Sequence, residues 1–287
     1  MHIEYREDAL SYRPHHHNAY EMIFILHGQS RFTVRDQSFL AGPGDIVFFS
    51  NLEEHSTNIV QTPYHRYFVM LPPRETDQMI GNARLLSIFK QRSAAFPYVL
   101  HTSQRAQALQ SHFGQLLLES DPANPWRNER VCALLMLILT EVCRLHPQIF
   151  PGHMQPHQLP ISDIQSHLDI HYAERFSLID LAKRYHVSAG YLSQCFREQV
   201  GHSPMQYVML NRLTAACEML LTSGLSVNQI SGQCGFSDVN NFIRRFSQHY
   251  GVTPNKMKKQ RGHIAVDWKE KEHAGHDLGD LSDTVSR

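Results

Sequence analysis

The 287-residue chain lacks a cysteine pair at C-x-x-C spacing, a long apolar run and an excess of either charge. Its five cysteines (Cys132, Cys143, Cys195, Cys217 and Cys234) lie in apolar helical patterns, where cysteine behaves as a small hydrophobe. That excludes a disulfide framework and leads us to expect a reduced, cytoplasmic protein. Residues 1–10 carry Glu4, Arg6, Glu7 and Asp8 with no apolar core segment, so a secretory signal is not expected. The longest apolar run, 131–140, is about half of what a membrane span needs. Lys and Arg number 27 and so do Asp and Glu, so any polyanion-binding surface must be local rather than global.

What is present divides in two. With 42% apolar residues, the chain has material for two ordinary cores. Between residues 15 and 71, short apolar stretches (20–26, 31–34, 38–40, 46–49 and 67–71) are broken by Gly28, by Asp36-Gln37 and by Gly42-Pro43-Gly44-Asp45. This spacing predicts a β-sandwich or barrel. From residue 76 the apolar period changes to three and four, predicting helices over 76–92, 104–119 and 127–145. The last is apolar enough to require burial, against the barrel or a second subunit. A stretch rich in proline and histidine follows, reading as a linker crossed by few contacts. The expected organisation is a sensor domain over 1–146, a linker over 147–160, a helical domain over 161–262 and a disordered tail over 263–287. The fold class is α+β: a β-barrel with following helices, then an all-α domain.

The helical domain contains a repeat. Leu181-Ala182 matches Ile230-Ser231, and Val187-Ser188 matches Phe236-Ser237, at an offset of 49. Leu192, Phe196, Gly201 and Pro204 match Phe242, Phe246, Gly251 and Pro254 at an offset of 50. Each copy has an N-cap serine (Ser177, Ser226), a short amphipathic helix with a small residue at its middle, a turn and a second capped helix, the form of a helix-turn-helix unit. In such units the second helix enters the major groove of double-stranded DNA. Its exposed face is Ser188, Ala189, Gly190, Ser193, Gln194 and Arg197 in the first copy. In the second it is Asp238, Asn240, Asn241, Arg244, Arg245 and Gln248. Arginine pairs bidentately with guanine, and asparagine and glutamine with adenine; a solvated helix face would carry similar residues, and it is the duplication that favours DNA. Residues 161–262 hold 11 basic and 7 acidic residues, a net +4 in an otherwise neutral chain. Residues 204–222, between the copies, read as one long helix that would fix the two groove entries about 34 Å apart.

Ile230-x4-Gly235-Phe236-Ser237-Asp238, then Phe242, Phe246 and Gly251-Val252-Thr253-Pro254, resembles the AraC-type DNA-binding domain over 162–261. The chain departs from the family pattern at Ser231, where alanine is usual, and at Met257-Lys258, where Tyr-Arg is usual. The resemblance implies a transcription regulator, an activator, working as a homodimer through the predicted helices 104–119 and 127–145, with RNA polymerase as a partner and a small-molecule effector.

The N-terminal segment is similar to the cupin-type effector domains of such regulators. His15-x-His17-x3-Glu21, with His55 after Gly44-Asp45, matches the cupin metal-ligand pattern. On one strand, positions 15, 17 and 21 would share a face, so two imidazoles and a carboxylate would converge as candidates for effector or divalent-metal binding. Hydrogen bonding to a polar effector such as a sugar uses the same groups. Tyr5, Tyr12, Tyr20, Phe24, Phe32, Phe48 and Phe49 are candidates to line the pocket or to fill the core. A second reading is a metal-dependent cupin enzyme fused to a DNA-targeting module.

Overall fold

The computed structural model describes residues 1–8, 10–15, 17–34, 37–90, 96–150 and 159–259. The expected tail and most of the linker lie outside them.

Among the described residues, seven strands form one antiparallel sheet: β1 (His2–Arg6), β2 (Tyr12–His15), β3 (Tyr20–Val34), β4 (Gln37–Ala41), β5 (Asp45–Phe49), β6 (His55–Leu71) and β7 (Val99–His101). The spatial order is β1-β6-β3-β5-β7, with β2 also on β6 and β4 also on β3. The expected stretches 20–26 and 31–34 are in fact one long strand, β3, and the stretch 67–71 is the end of a long β6; the two pair along nearly their whole length. Gly28 does not end β3. It bends it, at register shifts between Ile25 and Ser30. Its φ is +76°, and a Cβ there would lie 2.4 Å from the carbonyl oxygens of both Gln61 and Pro63, so only glycine fits.

Strand alternation then sorts the side chains. Tyr20, Phe24 and Phe48 face helices: Tyr20 stacks on Phe89, Phe24 stacks on Phe113, and Phe48 meets Phe89 edge-on. Phe32 and Phe49 pack on each other, and Phe49 stacks on His55. Tyr5 is exposed. Of the seven candidate aromatics, Tyr12 is the one that borders the cavity described below.

Four helices cover the sheet: α1 (Pro73–Ile80), α2 (Ala83–Lys90), α3 (Ala106–Leu118) and α4 (Arg127–Leu145). The single helix expected over 76–92 is two, because Gly81 closes α1 in the left-handed region and the Asn82 side chain accepts from the amides of Arg84 and Leu85 to start α2. The apolar stripe of α4 (Val131, Leu134, Leu135, Ile138, Leu139 and Val142) is buried within this chain's own core. Its apolarity therefore needs no second subunit.

Among the described residues, seven helices follow: α5 (Ile161–His171), α6 (Leu178–Arg184), α7 (Ala189–Val200), α8 (Pro204–Thr222), α9 (Val227–Gln233), α10 (Val239–Tyr250) and α11 (Pro254–Lys259). Ser177 and Ser226 cap α6 and α9 as the sequence predicts. Two small cores result. One joins α8 to α9, α10 and α11. The other joins α5, α6, α7 and α8, and it includes Leu52 from the β domain. The two halves are thus in contact, and the expectation of few contacts across the linker is not met. Among the described residues, no helix is long and apolar enough to cross a membrane.

Candidate functional site: recognition helices and a histidine cluster

The repeated units fold as α6–α7 and α9–α10. Ala182 and Ser231, the small mid-helix residues, are each 2% exposed, which lets the second helix cross close over the first. Ser188 and Asp238 are the N-caps of α7 and α10. Ser188 Oγ accepts from the Tyr191 amide, and both Asp238 carboxylate oxygens accept from the amides of Asn240 and Asn241. Their side-chain oxygens thus set the helix starts, leaving base-edge chemistry to their neighbours.

Gly190, Gln194 and Arg197 are exposed on α7, with Ala189 and Ser193 half-buried. On α10, Asn240, Arg244, Arg245 and Gln248 are exposed, and Asn241 is half-buried and accepts from Arg244 Nη2 at 3.1 Å. The inner faces are Leu192, Phe196 and Val200 in α7, and Phe242 and Phe246 in α10. The geometry offers two polar helix faces with buried backs, each bearing guanidinium and amide groups. Sequence reasoning missed Tyr191, which is 51% exposed on the same face, three residues before Gln194. The signal for it was its spacing on α7.

A backbone joint fixes the two units relative to each other. Gly235, in the α9–α10 turn at φ +81°, abuts the turn after α5, where a Cβ would lie 2.2 Å from the Ala173 carbonyl oxygen. Beside it Arg212 of α8 donates to the carbonyls of Tyr172 and Glu174, each at 2.7 Å.

In the β domain the histidines converge, though not by the predicted route. His15 ends β2, His17 lies between strands, and Glu21 is on β3, so one strand face does not hold them. They meet because β2 pairs with β6, setting His15 opposite His55, while the chain after β2 folds back into β3. One donor nitrogen from each of His15, His17 and His55 lies within 4.8 Å of the others. His17 Nε2 donates to Glu21 Oε2 at 2.7 Å, and His55 Nε2 is 3.4 Å from the same oxygen. His17, Glu21 and His55 are buried. Burial alone would raise the Glu21 carboxyl, but the facing His55 and His17 hold it well below its usual range. Burial opposes charge on His55 too, and Glu21 outweighs it, so that imidazole is shifted upward.

Two nitrogens of this cluster, His17 Nδ1 and His55 Nε2, are buried without a hydrogen-bond partner. His55 Nδ1 donates to the Glu53 carbonyl, which orients the ring and directs Nε2 toward the cluster. Three imidazoles with an adjacent carboxylate suit a zinc-like ion. These residues fit a metal ion by donor chemistry, by convergence and by their orphaned nitrogens.

Sequence reasoning missed the rest of the lining: Arg6, Thr57, Arg66 and Phe68. Arg6 pairs with Glu4 and lies 4.0 Å over the Phe68 ring, and Arg66 pairs with Asp8 at 2.6 Å. Both arginines are thus paired with other carboxylates, and Glu21 is left to face His17 and His55. The cavity volume is about 10 Å³, room for one water-sized body.

Comparison with known proteins agrees with this division. Residues 1–139 match the AraC-like ligand binding domain family, and residues 181–260 match a helix-turn-helix domain family. The chain is 24% identical to the uncharacterised HTH-type transcriptional regulator YdiP of Escherichia coli, covering 85% of this chain and 80% of that protein. It is 23% identical to the transcriptional activator RhaS of Salmonella arizonae, covering 91% and 93%. Its fold is similar to that of ToxT from Vibrio cholerae at a TM-score of 0.56 and 12% identity, covering 89% and 96%. A ligand-binding β domain joined to paired helix-turn-helix units sets aside the enzyme reading: the chain belongs to the AraC family of transcription regulators.

Proposed function

We propose that this regulator's DNA affinity is controlled by an ion or small polar ligand at His15, His17, Glu21 and His55, and that a divalent transition-metal ion is the ligand that fits best. The observation that carries this is the convergence of three imidazoles on a buried carboxylate, beside a cavity of about 10 Å³ that His15 and Glu21 border. A sugar-sized effector needs a pocket of several hundred Å³, so it would require the sheet to open. Zinc-like ions bind imidazole nitrogens at about 2.1 Å, which places the nitrogens about 3.4 Å apart; the nitrogens here lie within 4.8 Å of one another.

On the DNA side, Gln194 and Arg197 of α7 and Asn240, Arg244, Arg245 and Gln248 of α10 read base edges or phosphates. The relative named as an activator, RhaS of Salmonella arizonae, supports activation as the mode; RNA polymerase is the partner that an activator would need. A homodimer would use the outer faces of α3 and α4, where Leu118 and Leu137 are exposed.

The test uses the full chain stripped with a chelator. Zinc is titrated in competition with a chromophoric chelator, and affinity for a duplex selected from a random library is measured with and without zinc. A stoichiometric site weakened at least about tenfold in the His17→Ala variant, together with a zinc-dependent DNA affinity, is expected. A wild-type chain that binds no zinc would overturn the metal reading, and one that selects no duplex would overturn the DNA-face assignment.

A further inference from the structure

Residues 50–53 form the turn between β5 and β6, and all four are buried. At one end the turn is tied to the histidine cluster. The Leu52 amide donates to the His17 carbonyl at 2.7 Å, and His55 Nδ1 donates to the Glu53 carbonyl at 2.9 Å. At the other end it is tied to the DNA-binding domain. Asn51 Nδ2 donates to the Tyr207 hydroxyl at 2.6 Å, Gln165 Nε2 donates to Asn51 Oδ1 at 2.9 Å, and His202 Nε2 donates to the Leu52 carbonyl at 2.8 Å. The Leu52 side chain is wholly enclosed in the core that backs the first recognition helix, with Ile161, Ile164, Leu168, Leu192 and Phe196.

Leu52 also sits at φ +58°. A leucine in the left-handed region persists only where its surroundings hold it there, and such residues cluster at clamps and switches.

We propose that this turn is the transmission element of the protein: occupancy of the histidine cluster is passed to the first helix-turn-helix unit by the seating of Leu52 in that unit's core. The proposal rests on the cluster being the ligand site. A ligand that draws His17 and His55 together pulls on two backbone groups, the His17 carbonyl and the Glu53 carbonyl, that bracket Leu52. Lys90 and Asp77 also hold α5, through Ser166, but Leu52 is the β-domain residue in the buried cluster with Leu192 and Phe196 of α7, so displacement there changes how the β domain holds α7. The seated turn restrains the DNA-binding domain in one orientation, and ligand binding loosens that restraint.

The experiment compares the full chain with its Leu52→Ala and Asn51→Ala variants. Both keep the backbone bonds of the turn and all the cluster residues. Hydrogen exchange of the peptides covering α5 and α7, and affinity for the selected duplex, are read with and without zinc. Allosteric couplings are typically about 5–150-fold. In wild type, zinc is expected to change both exchange in α7 and DNA affinity by several-fold. In Leu52→Ala the zinc-induced ratio should fall to within about twofold of one, while zinc still binds and still changes exchange at residues 50–53. An undiminished ratio in both variants would overturn the proposal. If wild type binds no zinc, the metal reading fails and transmission is read without a ligand, from a double-mutant cycle of His17→Ala and Leu52→Ala on DNA affinity. Coupling between the two substitutions supports the turn as transmitter, and strict additivity overturns it. Should Leu52→Ala fail to fold, the Asn51→Ala cycle gives the same decision.

Discussion

Replacing Gly235 by alanine tests how the two DNA-binding units are held together, because the repeat supplies its own control. Gly235 corresponds to His186 of the first unit at the offset of 49, and both adopt positive φ, +81° and +56°. A left-handed conformation costs a residue with a Cβ about 1–2 kcal/mol. At His186, which is exposed, that is the whole cost. At Gly235 the new Cβ would also lie 2.2 Å from the Ala173 carbonyl oxygen and 2.7 Å from its carbon, so backbone must separate by about an ångström. That separation works against the two hydrogen bonds from Arg212 to the Tyr172 and Glu174 carbonyls, bonds from a charged donor worth about 1.5–3 kcal/mol each. Alanine recovers about 0.4–1 kcal/mol by stiffening the unfolded chain. The net expectation is a loss of at least about 3 kcal/mol for Gly235→Ala and a gain of about 0.5–1 kcal/mol for His186→Gly. Urea unfolding followed by far-UV circular dichroism measures both, and duplex affinity should fall with the first and hold with the second. A Gly235→Ala cost below about 1 kcal/mol, or effects of the same sign at the two sites, would refute the reasoning.

Arg244→Ala is expected to lose about 1–3 kcal/mol of affinity on the selected duplex and much less on random DNA; equal losses would make Arg244 a phosphate contact. Burial pushes the Asp169 carboxyl up to about 6, against hydrogen bonds from Tyr207 and Asn211. Its folded value therefore exceeds its unfolded one, so its contribution is fully present below pH ~4 and is lost as pH rises towards about 6. Asp169→Asn should be more stable than wild type above pH 6, by on the order of 2 kcal/mol, with the difference vanishing below pH 4; a pH-independent difference in urea midpoints would contradict the buried-charge account. The fragment 155–262 lacks Leu52, so it should unfold more easily than the same helices in the whole chain, by the roughly 2–5 kcal/mol of a large core deletion; equal protection of α5 and α7 amides in fragment and full chain would count against the shared core.

The DNA-binding half was legible because its signals are local. The capping serines and the small residues at 182 and 231 each answer a steric or hydrogen-bonding need within their own unit, and Gly235 reads as a turn residue there, although the contact that demands glycine is with Ala173. In the β half those needs are met across strands. Gly28 read as a break because nothing nearby shows that Gln61 and Pro63 cross it. The histidines were found by type and spacing, yet the strand they were assigned to does not exist as one piece, and it is the β2–β6 pairing that brings His15 to His55. Arg6 and Arg66 were invisible, since their partners Glu4 and Asp8 make them look like ordinary surface charges. Leu52 carried no signal: one leucine in Asn-Leu-Glu-Glu reads as a loop residue until the core it enters is seen.

The energetics of the 50–53 turn bear on whether it can switch at all. Enclosing a leucine side chain is worth about 1.5–3 kcal/mol, while holding that residue at positive φ costs about 1–2 kcal/mol. The two nearly cancel, so the seated and withdrawn states are separated mainly by the hydrogen bonds of Asn51 and the Leu52 carbonyl, each worth about 1 kcal/mol net. A gap of a few kcal/mol keeps the seated turn dominant in the free protein. It is also small enough for a ligand with a modest preference for one state to shift. The cluster can supply that preference where His17 and His55 reach a common ligand only with the turn withdrawn: His17 Nδ1 and His55 Nε2 are buried without partners in the seated state, and each unsatisfied buried group costs about 1–3 kcal/mol until something binds it. A ligand that satisfies both nitrogens therefore acts with an energy of the same size as the gap it must close, three residues along the chain from the side chain it must move.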